Sequence, residues 1–169
     1  MVAKALVNNP DLLILDEPFS GFDPINTNLI KDEIMRMKEA GTTVIFSTHN
    51  MASVEEICDH IALINNSKKI LEGSVKSIKE EYKPNVFEVT FKGNIIAFTN
   101  ALWIGFELID HKADEDSGLV TAEIKLLQKY TPNDLLQALI PHVQIFGLQE
   151  ILPSMNEIFI RKVTEIKEE

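Results

Sequence analysis

The sequence predicts an α/β fold, with a parallel sheet and its helices first and a small α+β domain after it. The apolar run Leu12-Leu13-Ile14-Leu15 is typical of a strand buried on both faces, as in parallel sheets covered by helices. Residues 42–48 are β-branched and mostly uncharged, and they predict a second buried strand one helix later. After Lys83-Pro84 the pattern changes to alternation, which favours half-buried strands and a second domain.

The first domain is predicted over residues 1–83. Residues 1–7 have helical composition but no start signal, so we expect the last turns of a helix there. Asp23-Pro24 supplies an N-cap and a proline at the first helical position, which predicts a helix that ends at Gly41. The remaining elements are, in chain order, a short helix over 53–58, a hairpin of strands over 61–64 and 69–72, and a polar helix over 75–82.

The second domain is predicted over residues 84–169. Its elements are a strand over 86–91, a helix over 95–103, strands over 106–111 and 119–126, a helix over 132–140 and a strand over 143–149. This β-α-β-β-α-β order is that of the ferredoxin-like split unit. We expect Phe98, Trp103 and Phe106 in its core, and Ser154 as the N-cap of a closing amphipathic helix.

Composition narrows the class of protein. The net charge of −10 argues against nucleic acid as a partner, because binding to phosphates needs clustered lysine and arginine. Cys58 is the only cysteine, so the chain can form no internal disulfide and contains no thiolate metal cluster. The longest stretches without charge fall short of the ~20 apolar residues that a membrane-spanning helix requires. We therefore expect a soluble protein, which can still dock on a membrane protein.

Polar residues follow both predicted strands of the first domain. Asp16 and Glu17 come directly after the first strand, and His49 comes at the end of the second. The carboxyl ends of parallel strands meet at one edge of a sheet, where open α/β sheets bind ligands. Carboxylates there are costly to bury unless they are paired or face a metal. These residues predict a hydrolytic phosphate site in which Asp16 serves a metal ion and Glu17 serves a water molecule.

Three segments resemble motifs of the ATP-binding cassette (ABC) ATPases. Leu12-Leu13-Ile14-Leu15-Asp16-Glu17-Pro18 resembles the Walker B segment, Ser20-Gly21-Phe22-Asp23 the D-loop, and Ser47-Thr48-His49 the switch-histidine loop. The resemblance implies a partial P-loop NTPase fold that binds ATP and Mg²⁺. By the same resemblance, Asp16 holds Mg²⁺ through water and Glu17 polarises the attacking water. His49 then contacts the γ-phosphate, while Ser20 and Asp23 face a partner ATPase domain.

The resemblance is to the carboxyl-terminal part of such an ATPase. No Gly-x-x-x-x-Gly-Lys-[Ser/Thr] segment occurs among these residues, so the phosphate-binding loop is not in this sequence. We therefore expect the chain alone neither to bind ATP tightly nor to hydrolyse it. Residues from 84 onward resemble the accessory domain of bacterial exporter-type ABC ATPases. The resemblance implies transmembrane permease subunits and a second ATPase subunit as partners, and a cytoplasmic location on the inner face of the cell membrane.

Two alternatives stay open at this point. The same three motifs occur in the ATPase heads of DNA repair and chromosome-maintenance proteins, but those heads carry long heptad coils and basic surfaces that this acidic sequence lacks. The other alternative is a non-catalytic regulatory module whose second domain senses a small ligand. A thermal-shift screen with metabolites distinguishes such a sensor from a purely structural domain.

Overall fold

The computed structural model describes residues 10–127 and 129–168. The helix predicted over residues 1–7 lies outside the described residues. Internal contacts divide the chain into two compact units, the first comprising residues 10–77 with residues 154–168, and the second comprising residues 78–153. The chain is of the α/β class, with strands and helices in both units. None of the described helices is long and apolar enough to cross a membrane.

Unit 1 contains two small sheets and four helices among its described residues. The elements are β1 (Leu12–Asp16), α1 (Pro24–Glu39), β2 (Thr43–Ser47), α2 (Met51–Ile57), β3 (His60–Asn65), β4 (Lys68–Ser74), α3 (Val75–Glu81, which runs on into the second unit) and α6 (Met155–Glu168). β1 and β2 pair in parallel with Leu13 opposite Val44, and β3 and β4 form an antiparallel hairpin. The elements that the sequence predicts for residues 12–82 are therefore present, with their ends shifted by a few residues.

The prediction that β1 is buried on both faces is wrong for the described residues. Leu13 is buried, whereas Leu12 and Ile14 are 50% and 69% exposed, and Ile45 of β2 is 55% exposed. The apolar cluster around Phe19 and Ile34 includes Leu15 of β1 and Val44 and Phe46 of β2. Side chains alternate across a strand, so an uninterrupted apolar run is buried on both faces only if layers cover both. Here the described helices cover one face.

The last helix, α6, packs in unit 1. It contacts α2, and the Glu55 carboxylate accepts a hydrogen bond from the backbone N–H of Met155. The Met155 and Ile158 side chains are buried, and Ser154 accepts from the Glu157 N–H at 3.2 Å as the predicted N-cap. The sequence prediction assigned this helix to the second domain, over residues 84–169, whereas its contacts place it in unit 1.

Unit 2 is built on one four-stranded antiparallel sheet. Its elements are β5 (Val86–Lys92), α4 (Ile95–Ala101), β6 (Phe106–Asp114), β7 (Leu119–Leu126), α5 (Pro132–Leu139) and β8 (Gln144–Ile151). The strands lie in the order β6-β7-β5-β8. One face of the sheet packs with residues of both helices around Val89, Phe91, Phe98 and Leu135, all of them fully buried.

The aromatic residues of unit 2 divide between core and surface. Phe98 stacks on Phe91 with ring centroids 4.1 Å apart, and Phe106 is also buried. Trp103 is 59% exposed, so the prediction that it belongs to the core is wrong. The helix predicted over 95–103 ends at Ala101, which places Trp103 in the loop before β6. An indole is often left half exposed because its N–H needs a polar partner.

Candidate functional site

The candidate site lies where β1 and β2 end side by side. In the parallel register Asp16 lies opposite Ser47, so the residues that follow each strand leave the sheet at the same edge. The backbone N–H of Glu17 continues the ladder by donating to the Ser47 carbonyl at 3.1 Å. The structure thereby brings Asp16, Glu17 and His49 together at one place, which is the proximity that the sequence led us to expect.

The closest contact of the site joins Glu17 to His49. Glu17 Oε1 lies 2.7 Å from His49 Nδ1 and also accepts from the His49 backbone N–H at 3.2 Å. An ionised carboxylate only accepts hydrogen bonds, so Nδ1 carries the hydrogen in this contact. His49 Nε2 is then the outer ring atom, on a side chain that is 85% exposed, whereas that of Glu17 is 37% exposed. The ring is oriented from one side and open on the other.

The backbone of Glu17 is held in an unusual conformation. Its φ of 44° lies in the left-handed region, which costs a non-glycine residue about 1–3 kcal/mol. Hydrogen bonds from the Glu17 N–H to the Ser47 carbonyl and, at 3.2 Å, to the Ser47 hydroxyl keep it there. The next residues anchor the turn, because Phe19 is buried and packs edge-to-face on Phe46 at 5.7 Å. The conformation turns the Glu17 carboxylate towards the segment that follows β2.

Asp16 has a different partner from Glu17 although the two are adjacent. Its Oδ1 accepts a short hydrogen bond from the Ser47 hydroxyl across the strand pair. Its side chain is exposed on the same face of the sheet as Leu12 and Ile14. The two neighbouring carboxylates therefore have separate surroundings, and one can bind a ligand without displacing the partners of the other.

The loop that carries His49 is ordered by local hydrogen bonds. The Thr48 hydroxyl contacts Glu17 Oε2 at 3.4 Å and accepts from the Asn50 backbone N–H at 3.1 Å. Asn50 is the N-cap of α2, because its side chain accepts from the Ser53 N–H at 3.2 Å. His49 is thus fixed between the end of a strand and the start of a helix.

Ser20 and Asp23 lie outside this cluster of contacts. The Ser20 N–H donates to the Glu17 carbonyl at 3.1 Å, and the Ser20 side chain is exposed. Asp23 is the N-cap of α1 and accepts from the N–H groups of Ile25 and Asn26, each at 3.0 Å. The backbone N–H of Asn26 is the main cause that lowers the pKa of the Asp23 carboxyl below its ordinary value. A contact with a partner subunit remains a prediction for both residues.

The oxygen atoms at the strand ends suit part of a magnesium nucleotide site. Mg²⁺ prefers oxygen ligands and often keeps several waters, so the exposed Asp16 carboxylate beside the Ser47 hydroxyl fits a water-mediated contact. Within residues 10–127 and 129–168, no group of three or more His, Cys, Asp or Glu residues is arranged to hold a metal ion directly. The described residues therefore fit a water-mediated contact on one side of such a site.

Sequence reasoning gave no separate role to Ser47 and Thr48. Ser47 bonds both Asp16 and the Glu17 N–H, and Thr48 contacts Glu17 and the start of α2. The role of Ser47 follows from the register of the parallel strands, which pairs Asp16 with Ser47 and which the sequence does not give. A hydroxyl opposite an acid across a strand pair indicates that the two can bond.

Comparison with known proteins adds a family to this geometry. Residues 73–163, more than half of the chain, match the family described as ATP-binding protein DrrA1-3-like, C-terminal domain. An uncharacterized ABC transporter ATP-binding protein of Alkalihalophilus pseudofirmus is 29% identical over 166 residues, which cover 94% of this chain and 57% of that protein.

Two relatives with export in their names match a shorter part. The fluoroquinolones export ATP-binding protein of Mycobacterium tuberculosis (strain H37Rv) is 37% identical over 92 residues, 54% of this chain and 31% of the relative. The Nod factor export ATP-binding protein I of Cupriavidus metallidurans is 44% identical over 72 residues, 43% of this chain and 24% of the relative. The chain thus spans between about a quarter and just over half of the length of the relatives it matches.

Proposed function

This chain belongs to the family of DrrA1-3-like ATP-binding proteins, whose C-terminal domain it carries, and we propose that it supplies half of an ATP-hydrolysing site in an exporter-type ABC transporter. The chain contributes the acidic and histidine residues at the strand ends. The phosphate-binding loop of that site is supplied by residues outside this sequence. The names of the relatives, which include two export proteins, support the class of transporter.

The contact between Glu17 and His49 carries the proposal. Two residues 32 positions apart meet at 2.7 Å at the ends of adjacent parallel strands. The contact requires a left-handed backbone at Glu17, and strain of this kind is concentrated at functional sites. His49 is largely exposed, so its contact with Glu17 is not part of the apolar core of the unit.

We propose different tasks for Glu17 and His49 in hydrolysis. Glu17 Oε1 already accepts twice from His49, whereas Oε2 has only the long Thr48 contact among the described residues. Oε2 is therefore the atom that would take a proton from an attacking water. His49 Nε2 points away from Glu17 and would bond to a phosphate oxygen. When bound, Mg²⁺–ATP would supply the reacting phosphorus and the metal charge that neutralises its oxygens, and Asp16 would hold that metal through water.

The second unit is proposed to be a ferredoxin-like accessory domain. This proposal is supported by the chain order β5-α4-β6-β7-α5-β8, which follows the split β-α-β-β-α-β unit, and by the single antiparallel sheet in the order β6-β7-β5-β8. We further propose that the whole protein acts with transmembrane permease subunits and a second ATPase subunit, on the cytoplasmic face of the membrane. The predicted boundary between residues 83 and 84 remains part of this proposal.

The test joins the chain to the phosphate-binding part of a relative. A chimera of the amino-terminal portion of the A. pseudofirmus relative followed by this chain should hydrolyse ATP, and the chain alone should not. In the chimera, Glu17→Gln should lower kcat by about a hundredfold or more, because it removes the general base while keeping the size of the side chain. His49→Ala should also lower kcat.

The matched control is Asp11→Asn, which neutralises a carboxylate at the opposite end of β1. Asp11 lies beside the first residue of the strand, and its carbonyl binds the Thr43 N–H at 2.9 Å, a contact that the variant keeps. Its kcat should stay within about twofold of the unmodified chimera. An active chimera in which Glu17→Gln and Asp11→Asn have equal kcat would contradict the catalytic role of Glu17.

A further inference from the structure

A cleft of about 330 Å³ opens in unit 2 beside the start of β5 and the segment that joins β7 to α5. Its volume is at the lower end of the range for small-molecule sites. The apolar wall includes Phe87 and Leu126, which are buried side chains of adjacent strands. Leu127 and Pro132 extend that wall towards the surface. A small apolar group would be enclosed between these side chains.

Tyr130 lines the cleft and belongs to an aromatic cluster. The Tyr130 ring lies 5.4 Å from the Phe106 ring and 6.4 Å from the Trp103 ring. Tyr130 packs so closely over Gly105 that a β-carbon at Gly105 would overlap the ring. Glycine at position 105 therefore allows the Tyr130 ring to approach the backbone this closely.

The rim of the cleft carries charges of both signs. Lys83 Nζ bonds Glu150 Oε1 at 3.1 Å and also Glu80 at 3.2 Å. These two carboxylates raise the pKa of Lys83 above its ordinary value, with Glu150 the larger cause. Lys129 also lines the cleft and makes no ion pair within the part of the chain that the structure describes. The rim therefore offers an ammonium at Lys129 and a second carboxylate oxygen at Glu150.

Two residues that line the cleft have left-handed backbone conformations. Asn85 and Lys129, which both line it, have φ values of 55° and 89°. The Asn85 carbonyl accepts from the Leu126 N–H at 2.9 Å, which fixes one strained residue to the neighbouring strand. Left-handed conformations at residues other than glycine are costly and tend to persist where they position a functional group.

We propose that this cleft binds a free α-amino acid with an apolar side chain. The ligand carboxylate bonds Lys129, its ammonium bonds Glu150, and its side chain packs between Tyr130, Phe87 and Leu126. A zwitterion matches this rim, because its carboxylate pairs with Lys129 and its ammonium can bond the Glu150 oxygen that Lys83 does not contact. This site is separate from the proposed ATP site, so the two proposals can fail independently.

The test uses the full chain and its own fluorescence. Trp103 is the only tryptophan of the sequence, and its ring lies 6.4 Å from that of Tyr130, which lines the cleft, so its emission should report occupancy. L-phenylalanine and L-leucine should change this emission saturably. N-acetyl-L-phenylalanine, which lacks the ammonium, and L-phenylalanine amide, which lacks the carboxylate, should bind about tenfold more weakly than L-phenylalanine.

Two variants identify which charge each residue recognises. Lys129→Gln should lower the affinity for L-phenylalanine by about tenfold and leave the affinity for the amide unchanged. Glu150→Gln should lower the affinity for L-phenylalanine by a similar factor and leave the affinity for the N-acetyl compound unchanged. Lys112→Gln, a substitution of an exposed lysine on β6 outside the cleft, should change nothing. Thermal melting of each variant checks that the fold is retained.

Two results would overturn the proposal. One is the absence, up to about 10 mM of either amino acid, of any saturable change in Trp103 emission and of any rise in the melting temperature of the chain. The other is binding of L-phenylalanine that both cleft variants leave intact, which would place the ligand elsewhere. Either result contradicts the proposal that the cleft binds an amino acid, and neither bears on the proposed ATP site.

Discussion

At the scale of single residues, two adjacent carboxylates have separate partners because the backbone changes conformation between them. Asp16 ends a regular strand and bonds Ser47 across the pair, whereas Glu17 has a positive φ and bonds His49. In a regular strand the two side chains would point to opposite faces of the sheet. The left-handed turn instead directs Glu17 past the strand end, where it meets the segment after β2.

One buried polar atom has no evident role in this site. Ser53 of α2 is fully buried, and its hydroxyl has no hydrogen-bond partner among the described residues. A buried hydroxyl without a partner costs about 1–3 kcal/mol by mutational measures, and serine is also a weaker helix former than alanine. We predict that Ser53→Ala raises the free energy of unfolding by about 1 kcal/mol, measured by urea denaturation.

Ser77→Ala is the matched control for that prediction. Ser77 is also a helical serine, but its hydroxyl accepts from the Ser74 hydroxyl at 2.7 Å and is exposed. The gain in helix propensity is then offset by a lost hydrogen bond, and the stability should change by less than about 0.5 kcal/mol. Equal stabilisation in both variants would show that propensity, and not the buried hydroxyl, is the cause.

At the scale of elements, the starts of the helices follow from local sequence. Asp23 caps α1, and Thr131 caps α5 in a capping box with Asp134, whose side chain accepts from the Thr131 N–H at 2.8 Å. In each case a proline follows the cap, where its missing N–H and fixed φ suit the first helical position. Such signals act within four residues, so the sequence alone predicts them.

The capping box of α5 gives stability that depends on pH. The Thr131 hydroxyl is the main cause that lowers the pKa of Asp134 below its ordinary value near 3.8. A group whose pKa is lower in the folded state stabilises the fold above its unfolded pKa and loses that contribution as pH falls through the folded value. Asp134→Asn should therefore melt at a lower temperature than the parent at pH 7, and the difference should narrow below about pH 4.

Asp32→Asn serves as the comparison in the same melting series. Asp32 is an exposed acid within α1 and has no side-chain hydrogen bond among the described contacts. Its melting temperature should stay close to that of the parent at pH 7, and the difference between the two should not change below about pH 4. If the two variants show the same dependence on pH, the capping box is not its source.

The fold and the site differ in how far the sequence could predict them. The alternating pattern of residues 86–91 and the caps of α1 and α5 are local, and the corresponding elements are present. The apolar run of β1 is compatible with burial on one face or on both, and only the surrounding layers decide between them. The contact of Asp16 with Ser47 depends on strand register, and the turn of Glu17 depends on a backbone angle. Residue type alone predicts neither the register of the strands nor the backbone angle of Glu17.

At the scale of the whole molecule, unit 1 exposes an apolar surface that a single chain rarely leaves uncovered. Ile14 and Ile45 are register neighbours on β1 and β2, and both are more than half exposed. A groove of about 670 Å³ runs along this face and also includes the exposed Ile64 of β3. Contiguous exposed aliphatic side chains on a strand pair favour association with another polypeptide.

We therefore expect the chain to self-associate when it is expressed alone, through the β1–β2 face of unit 1. The net charge of −10 opposes contact between copies, but charges separated by more than about 8 Å are screened at physiological salt while apolar burial is not. The average mass from light scattering should rise with protein concentration and rise further when salt is added.

The variant Ile14→Thr/Ile45→Thr should reduce that association. Threonine keeps the β-branched shape that strands favour and removes apolar area from both strands at once. Ile109→Thr makes the same change on the exposed side of β6 in unit 2 and should leave the mass unchanged. If only the first variant lowers the mass, the β1–β2 face is the contact. A parent chain that stays monomeric at every concentration would mean that this face is stable in water without a partner.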